Sequence, residues 1–249
     1  MIILKSLQEI EKIRNASLIV ADVLDHISSM VRPGVSTQDL DEIAERFILA
    51  AGAKPAFKGY RGYPKTLCTS LNNEVIHGIP SKDVVLKQGD IISIDVGAIF
   101  EGFYGDAAVT LPVGTITPAA QRLIRATEES LARGIAQAQP GNHLYDISHA
   151  VQSYVESSGY SVVREFVGHG IGSNMHEDPQ IPNFGDRGKG PRLKSGMVLA
   201  IEPMVNAGVS ATVVQEDNWT AVTADGSLSA HFEHTIAVMP DGPRILTKK

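Results

Sequence analysis

The strongest constraint in this chain is an offset. Pro33-Gly34 returns as Pro140-Gly141, Asp39 as Asp146, Gly52 as Gly159, and Leu86-Lys87-Gln88-Gly89 as Leu193-Lys194-Ser195-Gly196, each 107 residues later. Six residues beyond the last glycine of each set, Ile94-Asp95 becomes Ile201-Glu202. A shared offset held over more than 60 residues implies two copies of one α/β unit, each stacking on the other to bury its apolar face. We expect one domain spanning 1–249, with a pseudo-repeat of roughly 1–115 and 116–249. A chain of 249 residues, 43% hydrophobic, is ample for that core.

The equivalent strands carry an acid each, Asp95 and Glu202. Around Asp95 the chain reads as a β-hairpin. Ile92, Ile94, Val96 and Ala98 point one way and Ser93, Asp95 and Gly97 the other, and a turn near Phe100-Glu101-Gly102 returns the chain through Asp106. A turn centred on Phe100 and Glu101 would set Asp95 directly opposite Asp106, with Cβ atoms about 5 Å apart. Taken alone, such a pair reads more readily as two solvated strand acids. Asp106 has its counterpart in Glu233, on an expected strand from His231 to Met239, so a pseudo-two-fold axis would gather four carboxylates between the halves.

The rest of the chain supports this plan. Ser6 and Glu9 form a capping-box pair before a helix running to about Val31, and Arg32-Pro33-Gly34 breaks it. Thr37 caps a second helix, Gln38 to Ala51. Residues 53–71 read as a long irregular loop, of the kind that carries function. Helices are expected from Pro118 to Gln139 and from Leu144 to Ser157, then a strand from Ser161 to Val167. Gly168-His169-Gly170-Ile171-Gly172 lacks the strand-GxGxxG-helix context of a dinucleotide loop. His26, His143, His149, His231 and His234 show no clear partners.

Charge and cysteine usage narrow the classes. The net charge of −6, without a basic block, argues against nucleic acid or an anionic membrane as main partner. The one cysteine, Cys68, forbids an internal disulfide and fits a reducing compartment. The N-terminus lacks an apolar signal segment, and no apolar run is long enough to span a bilayer. A cytoplasmic protein is the expectation.

Four clustered carboxylates cannot all stay ionised without cations. No Lys or Arg lies within four residues of Asp95, Asp106, Glu202 or Glu233. Two divalent metals would balance them, with His169 as a fifth ligand. That oxygen-rich set suits Mn, Fe, Co or catalytic Zn rather than a structural thiolate zinc.

The order Asp95, Asp106, His169, Glu202, Glu233 resembles the ligand order of the type I methionine aminopeptidases. The surrounding segments are similar too: Val75-Ile76-His77-Gly78-Ile79-Pro80, Gly168 to Gly172, Met175-His176-Glu177-Asp178-Pro179-Gln180-Ile181-Pro182, and Glu202-Pro203. The resemblance covers nearly the whole chain and implies the pita-bread (creatinase/aminopeptidase) fold, an α/β sandwich of two pseudosymmetric halves around an antiparallel sheet. It implies that Asp95 chelates one metal, Asp106 and Glu233 bridge, and His169 and Glu202 hold the other. A bridging water or hydroxide then attacks the scissile carbonyl, with Glu202 as proton shuttle. His77 would face the scissile nitrogen and His176 the carbonyl oxygen. Tyr60, Tyr63, Cys68, Met175 and Trp219 match positions lining the methionine pocket, although Met175 stands where relatives often have Phe, and Phe57 where Cys is common.

The activity so implied is removal of N-terminal methionine from peptides and nascent proteins when the second residue is small, by a monomer in transient contact with the ribosome. The competing readings are a proline-directed aminopeptidase of the same fold and a metal-free pita-bread binding module.

Overall fold

The offset is written into the backbone. The computed structural model describes residues Met1–Lys249. In the first half, helices α1 (Leu7–Ser28) and α2 (Thr37–Ala50) precede strands β1 (Lys54–Pro55), β2 (Leu67–Leu71), β3 (Glu74–Ile76), β4 (Ile91–Phe100) and β5 (Phe103–Pro112). In the second, α3 (Pro118–Ala136) and α4 (Leu144–Ser157) precede β6 (Ser161–Val162), β7 (Val167–Gly170), β8 (Glu177–Pro182) and β9 (Val198–Ile201). Then come β10 (Met204–Asn206), β11 (Thr212–Val214), β12 (Ala221–Thr223), β13 (Ser229–His231), β14 (Glu233–Met239) and β15 (Gly242–Ile245). The bridge Ser36–Val85 recurs as His143–Arg192. The bond from Gly34 N–H to Leu86 O recurs from Gly141 to Leu193, both at 2.9 Å. Gly34 and Gly141 share φ 92°, and Gly89 and Gly196 share φ 95°, a left-handed turn that only glycine adopts cheaply.

The main sheet runs β1-β4-β5-β14-β9-β7-β8, with β2 added on β4 and β15 on β14. The seam between the halves is β5 against β14. The apolar face of β4 (Ile92, Ile94, Val96, Ala98) packs on Val20, Val23 and Ile27 of α1 and on Leu40, Ala44 and Ile48 of α2. Leu199, Ile201, Ile236 and Val238 pack likewise on Leu131 and Ile135 of α3 and on Leu144 and Ile147 of α4. The helices therefore cover one face of the sheet and leave the polar face, with Asp95, to the interior between the halves.

Several expectations are corrected. The β4–β5 register is shifted: Phe100 pairs with Phe103 around a two-residue turn, so Asp95 faces Ala108 and Asp106 faces Gly97. Glu101 (φ 51°) and Gly102 (φ 81°) are both left-handed, the conformation whose twist matches that of flanking strands. A slip of two residues keeps both acids on one face, whereas a slip of one would have separated them.

Ser36, not Thr37, caps α2, its Oγ accepting from Asp39 N–H while Asp39 accepts from Ser36 N–H, both at 3.1 Å. The segment 53–71 is not all loop: β1 and β2 both pair with β4, because Leu67 reaches the helix-side core while Cys68 meets Asp95. Residues 161–167 split between β6, which pairs with β10, and β7, which pairs with β8 and β9. Residues 231–239 break at Phe232, leaving His231 on β13 and Glu233 on β14. Helix α1 ends at Ser28 and α3 at Ala136, about a turn short of expectation.

Candidate active site

Sheet register assembles the site. Ala108 pairs with Asp95 on one side and Glu233 on the other, and Glu202 follows the last β9–β14 pair, Ile201 with His234. One step along the strands, Gly97 pairs with Asp106, and His169 and Thr235 both pair with Ala200. Thr235 clamps Asp106 across the seam: its hydroxyl donates to Asp106 O at 2.7 Å and accepts from Asp106 N–H at 3.2 Å. Five acidic or imidazole side chains thus fall in two adjacent cross-strand rows, separated by Gly97, Ala108 and Ala200. Gly97 has a second duty, since a Cβ there would lie 2.7 Å from the Phe57 ring.

Ligand-type atoms of Asp106, His169 and Glu233 lie within 4.8 Å of one another. His169 Nε2 is 3.6 Å from Glu202 Oε1 and 3.9 Å from Asp106 Oδ2. Its Nδ1 sits 2.9 Å from Gly170 O, which can only accept, so Nδ1 carries the proton and Nε2 offers its lone pair to the cluster.

Burial pushes the Asp95 carboxyl up to about 7 and Glu202 to about 8. It also raises Asp106 and Glu233, with further help from the charges of Asp95 and Asp106 respectively. Asp95 Oδ1, Asp106 Oδ1 and Glu233 Oε1 are buried without any hydrogen-bond partner. Buried polar atoms are seldom left so, and carboxylate oxygens without donors on the lining of one cavity fit divalent cations, with Asp106, His169 and Glu233 forming the tight group and Asp95 and Glu202 lying beside it.

Above the acids opens a cavity of about 150 Å³ whose lining includes Phe57, Tyr60, Tyr63, Cys68, Met175 and Trp219 along with all five clustered residues. Burial holds the Cys68 thiol well above its ordinary range, so it stays neutral beside Asp95. Tyr63 OH lies within hydrogen-bond distance of Leu67 O (2.8 Å) and Gly78 O (3.0 Å), and its ring meets Trp219 edge-on.

Two histidines rim this cavity. His77 is left-handed (φ 61°), a conformation costing a non-glycine residue roughly 1–3 kcal/mol. It is held there because Gly78 packs on β2, where any Cβ would meet Thr69 O at 2.2 Å. Its ring stands edge-on to Phe166 and Trp219, and burial lowers its pKa to about 4. His176 Nδ1 lies 2.8 Å from Tyr60 OH, and its ring centroid is 4.3 Å from that of His169. Burial, and then the charge of Arg61, lower the His176 pKa. The loop bearing Met175 and His176 is anchored from behind: Glu177 accepts from Lys5 Nζ at 2.6 Å, both side chains almost wholly buried, and from Asn174 N–H at 3.1 Å.

Every candidate ligand, catalytic and pocket residue named from the sequence therefore lines this one cavity. Sequence reasoning passed over His231, whose Nε2 is buried 3.6 Å from Glu202 Oε2. The signal was its parity, two residues before Glu233. His234 instead bonds Thr247 Oγ1 at 2.9 Å on the far side.

Metallopeptidase family M24 matches residues 11–240. The methionine aminopeptidase of Clostridium acetobutylicum is 55% identical over 247 residues, covering 99% of each chain. The crystal structure of methionine aminopeptidase from Thermotoga maritima matches with a TM-score of 0.99 at 49% identity, covering 100% of both chains. Prolidase from Pyrococcus furiosus shares the fold at a TM-score of 0.79 and 24% identity, with this chain covering 66% of it. By its matched residues, its fold and its full-length relatives, the chain belongs to metallopeptidase family M24, among the methionine aminopeptidases.

Proposed function

We propose that this methionine aminopeptidase holds two divalent metal ions between its halves and removes methionine from the N-termini of peptides and nascent proteins when the second residue is small. The observation that carries the reading is the set of buried carboxylate oxygens without donors, meeting at the foot of an apolar cavity. In this assignment Asp95, Asp106, His169, Glu202 and Glu233 would hold the ions, and Mn, Fe, Co and Zn all suit such donors. When bound, the metals supply Lewis acidity toward the carbonyl and a water of lowered pKa.

The chain's own residues do the rest. Tyr60, Tyr63, Cys68, Met175 and Trp219 enclose the methionine side chain, a flexible thioether suited to an apolar slot. Glu202 accepts the proton of the attacking water and passes it to the departing amine. Tyr60 OH, 2.8 Å from His176 Nδ1, orients the ring, and the tautomer in which Tyr60 donates leaves Nε2–H free to donate to the oxygen that gains negative charge. His77 faces the leaving nitrogen. The same reading has the protein act as a cytoplasmic monomer that meets chains at the ribosome in passing. No helix is long and apolar enough to cross a membrane.

Hydrolysis of Met-Ala-Ser against X-Pro peptides, across a series of Mn²⁺, Fe²⁺, Co²⁺ and Zn²⁺ under reducing conditions, tests this directly. Metal-dependent preference for Met-Ala-Ser is expected. Preference for X-Pro, or no metal-dependent turnover, overturns it. Elemental analysis of protein purified without added metal counts the ions.

A further inference from the structure

His231 has no part in the reading above, yet it is built into the site. Its backbone is locked to the first half. His231 N–H donates to Thr110 Oγ1 at 2.8 Å, and that hydroxyl donates back to His231 O at 2.8 Å. Since Thr110 has a single hydroxyl proton, Ser93 must be the donor in the 2.8 Å Ser93–Thr110 pair. The string Ser93–Thr110–His231 thus ties β13 to the hairpin that bears Asp95 and Asp106.

The side chain points into the protein, 2% exposed, with Nε2 lacking any hydrogen-bond partner. An unpartnered ring nitrogen so deep is costly and calls for a use. Glu202 Oε2 lies 3.6 Å away, while the other oxygen of that carboxylate lies 3.6 Å from His169 Nε2; the Asp95 carboxyl is also near enough for its charge to act on the ring. Glu202 therefore sits between two imidazoles, one per oxygen. The gap to His231 exceeds hydrogen-bond length by a few tenths of an ångström, and catalytic contacts of this kind commonly tighten once a site is loaded.

We propose that His231 is a positioning residue for Glu202: its Nε2–H donates to Oε2, turns Oε1 toward the His169 side where both would share a metal, and holds Oε2 as the atom that takes and returns the proton. The proposal rests on the reading of Glu202 given above and adds to it a dedicated partner. Removing such a partner of a ligating carboxylate ordinarily costs 10- to 100-fold in metal affinity or activity.

The test uses the full-length protein and two variants. His231→Leu should lower kcat on Met-Ala-Ser by about 10- to 100-fold with KM within about twofold, and should weaken Zn²⁺ binding at one of the two sites, by calorimetry, by a similar factor. His231→Gln, which restores an N–H donor, should recover most of both. In the unsubstituted zinc-loaded protein, ¹⁵N spectra should show Nε2 of His231 carrying a slowly exchanging proton, a measurement that stands even if the leucine variant does not fold. Three results overturn the proposal: a leucine variant equal to the parent in kcat and zinc affinity, a glutamine variant no better than leucine, or a His231 proton on Nδ1. An inactive Glu202→Gln protein beside an unimpaired leucine variant would reject His231 alone, whereas an active Glu202→Gln protein would reject the reading of Glu202 itself.

Discussion

The two halves share a frame and divide the labour. In the first, Asp95 and Asp106 sit on one continuous hairpin of two ten-residue strands closed by two residues. In the second, the chain leaves β9 at Glu202, makes the excursion β10 to β13, and returns to the sheet at Glu233. That excursion is what makes the site asymmetric. Its β12 pairs with β3 of the first half, which brings Trp219 against Tyr63 and His77, and its β13 delivers His231 to Glu202. The first half contributes most of the apolar pocket (Phe57, Tyr60, Tyr63, Cys68) together with His77, Asp95 and Asp106, and the second adds Met175 and Trp219 to the pocket and His169, His176, Glu202 and Glu233 to the chemistry. The shared frame is the scaffold, and the β10–β13 excursion of the second half makes the cavity lopsided, with a grip at one end and chemistry at the other.

This division can be broken by experiment. Glu202→Gln, on the chemical side, is expected to lower kcat on Met-Ala-Ser by about 10²- to 10⁴-fold, the usual scale for a lost proton-transfer group, with the far-ultraviolet circular dichroism unchanged. Near-normal turnover would undo the assignment.

The next effect belongs to the acids the halves share. In metal-free protein, Asp95 (about 7) and Glu202 (about 8) hold protons that the unfolded chain has already lost, since the ordinary values are 3.8 and 4.5. The folded state binds more protons, so stability is full below about pH 4 for these groups and falls as pH rises toward 8. Thermal melts of metal-free protein should drop from pH 7 to pH 8, above the range in which buried histidines such as His77 (held near 4) favour the folded state as pH rises, and Zn²⁺ should abolish the drop. A melting temperature that rises over that range would show that the acids are not buried together.

Smaller is the effect expected on the gripping side. Trp219→Ala should raise KM for Met-Ala-Ser by about 10-fold, the order of 1.4 kcal/mol, while leaving kcat within a few-fold. A change confined to kcat would erase the distinction between pocket and chemistry. The finest comparison concerns the matched helix caps. Ser36→Ala should cost about 1 kcal/mol of unfolding free energy, because its hydroxyl accepts from Asp39 N–H. His143→Ala should cost less, because there the bond kept is from the His143 backbone to Asp146. Equal losses in chemical denaturation would mean that the two caps work alike after all.

How much of this was legible in the sequence follows from where each signal resides. The repeat could be read because left-handed turns demand glycine, so Gly34, Gly52 and Gly89 mark the same corners as Gly141, Gly159 and Gly196. The acid cluster could be read because a two-residue period puts Ser93, Asp95 and Gly97 on one face. The hairpin register could not, because Glu101 takes a left-handed conformation that its identity does not advertise. Strand β2 hid in an irregular stretch, since five residues with alternating destinations need β4 beside them to declare which face is which. His231 was missed because its partners, Thr110 and Glu202, are remote in sequence and meet it only after folding.

The pair formed by Lys5 and Glu177 carries its own implication. A charge so deeply enclosed cannot lose its partner cheaply; stripping one member from such a couple typically destabilises by about 3–5 kcal/mol. Because Glu177 adjoins His176, the leading segment of the polypeptide works as a rear brace for a residue proposed to touch substrate. A substitution at Lys5 is therefore an intervention at the heart of the enzyme, made from outside its cavity.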